Sequence, residues 1–263
     1  MKAYRVHEYG DAAKFIEDEV NKPSAKQGHV VVEVKASSLN PVDHKLLKSD
    51  LGINPALPGI LHMDVAGVIT EVGEGVTAFK TGDEIYGCAG GLQGEAGNIE
   101  GALADFMLAD SNLIALKPKS LSFSESAALP LVTITAWEGL FDRAHIKKED
   151  HVLIHGGAGG VGHIAIQLAR QHGARVATTV SSEDKAKVAR GLGAEDIIFY
   201  RDEKVEDYTQ RLTKGKGFDA VFDTIGADNL DKSLEAAKVS GQVISIIGSN
   251  KHEIGRASCR ERV

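Results

Sequence analysis

The clearest chemical signal in the chain is the stretch Gly156-Gly-Ala-Gly-Gly-Val-Gly162. Gly157, Gly159 and Gly162 fit G-x-G-x-x-G, and Gly156, Gly159 and Gly162 fit a related spacing. Glycines keep such a turn tight and let backbone N–H groups approach a pyrophosphate at a helix N-terminus. Ala158, Gly160 and Val161 complete the turn. A glycine loop alone is weak evidence, so its flanks decide. The apolar run Val152-Leu153-Ile154, ending at His155, reads as a strand. Apolar residues then recur at Val161, Ile164, Ala165 and Leu168, the spacing of one helical face. Strand, glycine turn and helix form the context a dinucleotide-binding motif requires.

The choice of nucleotide is read further along. An NAD-selective unit usually carries an acid about 20 residues past the glycines, where it binds ribose hydroxyls. Here the second strand ends at Val180-Ser181-Ser182, with Lys185 in the first turn of the next helix. A hydroxyl and an ammonium suit the adenosine 2′-phosphate of NADPH, and charge-assisted hydrogen bonds contribute about 1.5–3 kcal/mol each. Glu183 and Asp184 carry the opposite charge, but acids also suit a helix first turn. Tyr200, at the end of the third strand, can reach the same pocket, and Gly248, past the last apolar run, joins the cofactor-contacting positions. NADPH is expected ahead of NADH.

The elements that position these residues follow from periodicity. Residues 1–118 read mostly as strand, with Val30–Ala36, Val65–Val72 and Glu84–Gly87 the clearest runs. The glycine-rich segment Gly90–Gly101 reads as a mobile surface loop. Ser122-x-x-Glu125 is a capping-box signal opening a short helix. Pro130 interrupts, and Val132–Ala144 reads as another helix. From His151 the pattern alternates. Strands are expected at Arg175–Val180, Asp196–Tyr200, Asp219–Ile225 and Gln242–Ile247, with helices at Glu183–Leu192, Val205–Leu212 and Asp228–Val239. Such alternation implies right-handed crossovers and a doubly wound parallel sheet. The division expected is 1–118, a β-rich domain; 119–252, a nucleotide-binding domain; and 253–263, a non-native tail. That tail, Glu253–Val263, reads as the translation of a common short-read sequencing adapter, so the native chain is expected to continue differently.

Composition narrows the partners. With 263 residues and 43% apolar content the chain can fill a sizeable core. A net charge of −7 argues against nucleic acid or an anionic membrane as the main partner. The N-terminus lacks an apolar signal core, and no stretch is long and apolar enough to span a bilayer. Two cysteines, Cys88 and Cys259, cannot make a disulfide framework, so a cytoplasmic location is expected.

Taken in order, a set of motifs resembles the medium-chain dehydrogenase/reductase superfamily, in its zinc-free quinone oxidoreductase-like branch. They are Ser38-Leu-Asn-Pro-Val-Asp43, Gly67–Gly73, Lys80–Gly87, Ala127-Ala-Leu-Pro130, Thr135-Ala-Trp137, Gly157–Gly162 and Leu192–Asp196. The resemblance implies a GroES-like catalytic domain followed by a Rossmann domain, with the active site in the cleft between them. It also implies a C-terminal return and a dimer-forming strand, both missing here, so a homodimer is expected of the intact protein. It places Asn40, Asp43, His44 and Thr135 around nicotinamide and substrate. Asn40 or Thr135 would hydrogen-bond the substrate oxygen, and His44 or solvent would supply a proton.

In the zinc-bearing alcohol dehydrogenases of the superfamily a cysteine, a histidine and a third residue hold the metal. The matching positions here are Asn40, Met63 and Leu131, which offer neither thiolate nor imidazole, and His44 and His62 are scattered. No zinc is expected. The reading is an NADPH-dependent, zinc-independent reductase of quinones, enones or similar small electrophilic carbonyl compounds. Two alternatives stay open: a zinc-type alcohol dehydrogenase, and a non-catalytic NADPH-binding structural or redox-sensing protein.

Overall fold

The computed structural model describes residues 1–94 and 97–247. Gly248 and the tail 253–263 therefore lie outside the described residues. Two compact units divide the chain, Met1–Leu131 and Val132 onward. Helices α2 (Phe123–Ala127) and the start of α3 (Pro130–Trp137) belong with the first, because α2 packs on the strands His29–Ser37, Asp64–Val72 and Glu84–Cys88. The change from one compact unit to the next falls at 131/132.

The first unit is β-rich, as expected. Its strands are β1 (Lys2–Val6), β2 (Phe15–Glu19), β3 (His29–Ser37), β4 (Gly59–Ile60), β5 (Asp64–Val72), β6 (Glu84–Cys88), β7 (Leu92–Gly94), β8 (Gly97–Ile99), β9 (Phe106–Asp110) and β10 (Ile114–Leu116). An antiparallel sheet runs β10-β6-β5-β3-β9, a smaller one β2-β1-β4, and β7 and β8 form a hairpin. Alternating valines and isoleucines supply the core: Val30, Val32, Val65, Ile69 and Ile85 are all buried. One element was not foreseen: Asn40-Pro41 opens helix α1 (Pro41–Lys48), where proline's missing N–H costs nothing at the first position. The glycine-rich segment contains the β7–β8 hairpin and is pinned at both ends. A Cβ on Gly90 would meet the Glu100 carbonyl oxygen at 2.3 Å, and one on Gly101 the Leu61 oxygen at 2.0 Å.

Helix α3 begins at Pro130 itself, so the proline starts the helix that it was expected to precede. A π-helical turn, Glu138–Arg143, follows, with Gly139 packed against the Phe222 ring. Strands β11 (His151–His155), β12 (Arg175–Val180), β13 (Asp196–Phe199), β14 (Phe218–Asp223) and β15 (Ala237–Ser245) alternate with helices α4 (Gly160–His172), α5 (Glu183–Gly191), α6 (Val205–Thr213) and α7 (Asn229–Ala236). All pair in parallel, in the order β13-β12-β11-β14-β15. The expected helix through Val239 stops at Ala236, because Ala237 pairs with Phe218 on β14. Burying a side chain such as Ile166 of α4, which is fully enclosed, contributes about 1.5–3 kcal/mol. Among the described residues no helix is long and apolar enough to cross a membrane.

Candidate functional site

The glycine turn links β11 to α4, and its glycines have different duties. Gly156 takes a left-handed backbone, φ 74°, which turns the chain out of the strand. A Cβ on Gly157 would meet Thr178 Oγ1 at 2.0 Å, and one on Gly162 would meet the Gly156 oxygen at 2.2 Å. Gly159 caps α4 without a side-chain hydrogen bond, so the N–H groups of the first helical turn stay available to an anion. Gly160 is different, since a Cβ there meets nothing closer than Val132 Cγ1 at 3.5 Å.

Hydroxyls brace this turn. Thr179 Oγ1 accepts from the Gly156 N–H at 3.0 Å and shares a hydrogen bond with His155 Nδ1 at 3.3 Å. Thr178 Oγ1 donates to the Ile154 carbonyl at 2.6 Å, and Thr224 Oγ1 to that of His155 at 2.6 Å. His155 is buried, and its Nε2 has no partner among the described residues. Burial holds its pKa down to about 4, with Asp223 opposing and Lys232 assisting. The fully buried Asp223 accepts from the Ile225 and Gly226 N–H groups, Asn229 Nδ2 and Ser233 Oγ, which fixes the segment after β14. Sequence reasoning missed these residues. Thr178 and Thr179 look like ordinary strand formers, and only Asp223-Thr224 at a strand end hinted at more.

At the ends of β12 and β13, Ser181 and Tyr200 come together, because the Tyr200 N–H donates to the Val180 carbonyl at 3.4 Å. The cap of α5 is Ser182, which accepts from the Lys185 N–H, so capping does not engage the Ser181 side chain. Lys185 is exposed. Glu183 is drawn to Arg190 at 2.5 Å, an exposed pair along α5. Arg201, not foreseen, lays its guanidinium over the Tyr200 ring, 5.6 Å from the centroid. Its position directly after Tyr200 was the available signal.

The first unit holds a separate polar cluster. Asp64 opens β5 and is fully buried. Its Oδ2 accepts from Ser38 Oγ and from Asn40 Nδ2, each at 2.8 Å, and its Oδ1 accepts from the Leu131 N–H at 2.9 Å. Burial pushes its pKa up, and those three donors oppose the rise. Cys88 lies beside it; burial, then the Asp64 charge and hydrogen bond, push the thiol up to about 12, an inert state. Asp43 is also buried. Its Oδ2 accepts from the Asn40 N–H at 2.7 Å, and its Oδ1 has no partner among the described residues. Burial raises its pKa, against hydrogen bonding from Asn40 and the charge of His62. His62 has a left-handed backbone, φ 73°, and its Nδ1 contacts Ser37 Oγ at 3.1 Å. Burial lowers its pKa, opposed by Asp43 and Asp64.

Of the four expected catalytic residues, Asn40 and Asp43 meet in this cluster, with the Asn40 amide hydrogens turned toward Asp64 and Ser38. His44 is on the exposed side of α1, and the half-buried Thr135 lies in α3. Among the described residues no group of three or more His, Cys, Asp or Glu is arranged to hold a metal. Met63 is packed in an apolar cluster with Leu46 and Leu61.

Two family models match the chain: an alcohol dehydrogenase GroES-like domain over residues 26–119 and a zinc-binding dehydrogenase over residues 160–257. The chain is 36% identical over 253 residues to the chloroplastic NADPH-dependent alkenal/one oxidoreductase of Arabidopsis thaliana, covering 95% of this chain and 63% of that protein. It thus spans less than two thirds of that relative's length. It is 32% identical over 250 residues to a quinone oxidoreductase of Pongo abelii, covering 95% of this chain and 73% of that one. An alcohol dehydrogenase superfamily protein from Novosphingobium aromaticivorans superposes with a TM-score of 0.89 at 39% identity, over 97% of this chain and 75% of that one. With a GroES-like unit followed by a Rossmann-like parallel sheet, the chain belongs to the medium-chain dehydrogenase/reductase superfamily, in its quinone oxidoreductase-like branch.

Proposed function

We propose that this protein is an NADPH-dependent, zinc-independent reductase of quinones, enones or similar small electrophilic carbonyl compounds. The observation that carries the reading is the end of β12, where Ser181 and the exposed Lys185 stand in place of a carboxylate. A hydroxyl and an ammonium suit a 2′-phosphate, and the strand end carries no acid to bind the ribose hydroxyls. The names of the Arabidopsis and Pongo relatives agree with both the cofactor and the acceptors. The open turn at Gly156–Gly162 suits the pyrophosphate, since side chains are excluded at Gly157 and Gly162 and the α4 N-terminus has no side-chain cap. Tyr200 and Gly248 complete the proposed nucleotide contacts.

When bound, the cofactor supplies a hydride. The residues of this chain supply the rest. Thr135 serves the oxygen on which charge develops, where a hydrogen-bond donor lowers the barrier. Asn40 and Asp43 shape the start of α1, and His44, exposed on that helix, or water delivers the proton. Zinc does not fit. Asn40, Met63 and Leu131 offer a committed amide, a buried thioether and an alkyl chain, so no step uses a metal. The compartment proposed is the cytoplasm, and the intact assembly a homodimer.

NADPH oxidation by the purified protein, followed with a panel of quinones and enones, tests the reading. Turnover should survive a chelator and should favour NADPH over NADH. Activity only with added zinc, or only in alcohol oxidation, overturns it.

A further inference from the structure

Asp64 offers an acceptor to each of several donors arriving from separate parts of the first unit. Ser38 comes from the segment after β3, Asn40 from the cap of α1, and Leu131 from the first turn of α3. A carboxylate has about four lone-pair sites and no hydrogen to donate, so the ionised form suits this ring of donors. The carboxylate also lies at the N-terminus of α3, where a negative charge is favoured by the helix dipole. Two of these partners, Asn40 and Leu131, occupy two of the three positions that match metal ligands in zinc-bearing members of the superfamily.

We propose that Asp64 is a positioning residue that ties the cap of α1 to the first turn of α3, joining by hydrogen bonds the positions that a catalytic zinc would otherwise bridge. The proposal rests on the zinc-independent reading above. Its chemical consequence concerns Asn40. With Nδ2 directed at Asp64 and Ser38, the amide hydrogens of Asn40 are spent inside the protein. Asn40 then acts on a bound electrophile through the placement of α1, not as the donor to its oxygen. The same tie sets the start of α3, the helix that carries Thr135. Asp64 touches no reacting atom and acts through these two helices.

Asp64→Asn tests the tie, because it keeps the side chain's size and turns an NH2 group toward donors. The expected result is a kcat at least about tenfold lower toward quinones or enones, while the dissociation constant for NADPH changes less than about twofold. Backbone amide exchange at Leu131 should accelerate about tenfold, with exchange in β11 unchanged. The swap Asn40→Asp with Asp64→Asn rebuilds a carboxylate–amide pair in reverse and leaves an amide oxygen for the Leu131 N–H. It should recover most of the lost turnover and the slow exchange. Wild-type turnover in a folded Asp64→Asn protein overturns the proposal, whatever Leu131 does. Should that variant not fold, the swap decides: turnover near wild type supports the tie, and a swap that is inactive or unfolded overturns it. A wild-type protein that consumes no NADPH with any acceptor would instead defeat the proposed function. The Leu131 exchange in the two variants would still decide the tie.

Discussion

The glycine turn of the second unit and the Asp64 cluster of the first solve opposite problems. The turn keeps side chains out, so that backbone N–H groups at the start of α4 face whatever binds. The cluster packs charged and polar side chains in, where Asp64 and Asp43 are 0% and 1% exposed. A turn made from missing side chains fails when atoms are added. A cluster made from buried acceptors fails when an acceptor is removed, because the abandoned donors have no water to replace it. The cluster depends on protonation states that burial has already pushed upward for both carboxylates.

The hardest blow to the turn is Gly162→Ala. Its Cβ would lie 2.2 Å from the Gly156 oxygen, a backbone atom that cannot step aside. Overpacking of this kind costs roughly 1–3 kcal/mol and at times more. The turn must open to relieve it, so binding should fall by about a hundredfold, the equivalent of about 2.8 kcal/mol. Titration of NADPH fluorescence on the folded variant measures this. Wild-type affinity would mean that the turn is not the cradle.

His155 is where the turn borrows from the chemistry of the other region. It is buried beside the turn, and its pKa is held down to about 4 from an ordinary value of 6.5. The fold therefore favours the neutral ring. That contribution is complete above about pH 6.5, declines as the pH falls, and is gone below about pH 4. The full span corresponds to roughly 3 kcal/mol. Urea midpoints measured at pH 7 and pH 4.5 should fall steeply for the wild type and less for His155→Gln. Equal pH slopes in the two proteins would show that His155 does not carry the acid sensitivity.

The two regions were also unequally legible. The parallel sheet announces itself, because strand and helix periods alternate from His151 onward and each strand is a local run. The glycines of the turn are visible for the same reason: everything they do is decided within a few positions. Asp64 gave no such sign. An acid between Met63 and Val65 looks like an ordinary strand start, and its partners Asn40 and Leu131 are 24 and 67 residues away. Helix α1 was hidden by Asn40-Pro41, a pair that serves a turn and a helix start equally well. The threonines bracing the glycines were hidden differently, since β-branched residues in β12 are explained by strand propensity before their hydroxyls are considered.

Lys185 provides a smaller test on the nucleotide side. Replacing it with Gln removes one charge-assisted contact to the proposed 2′-phosphate, worth about 1.5–3 kcal/mol. KM for NADPH should rise roughly tenfold to a hundredfold, with KM for NADH almost unchanged. Parallel losses for both nucleotides would assign Lys185 to the stability of α5. The Glu183–Arg190 pair is not expected to compensate, since it is exposed and already satisfied.

The smallest expected effect sharpens the contrast most. Gly160 belongs to the motif by sequence, but its surroundings resemble neither those of Gly157 nor those of Gly162. An added Cβ would find only Val132 Cγ1, at an ordinary 3.5 Å. Gly160 is also the first residue of α4, where alanine is the better helix former by up to about 1 kcal/mol. Gly160→Ala should therefore leave thermal stability unchanged or slightly improved. Any loss of NADPH affinity would then come from the space beyond the protein surface, where a methyl group meets the bound pyrophosphate. Stability and affinity measured on the same preparation separate the two causes. A stability loss at Gly160 comparable to that at Gly162 would mean that the whole turn, and not selected glycines within it, is sterically closed.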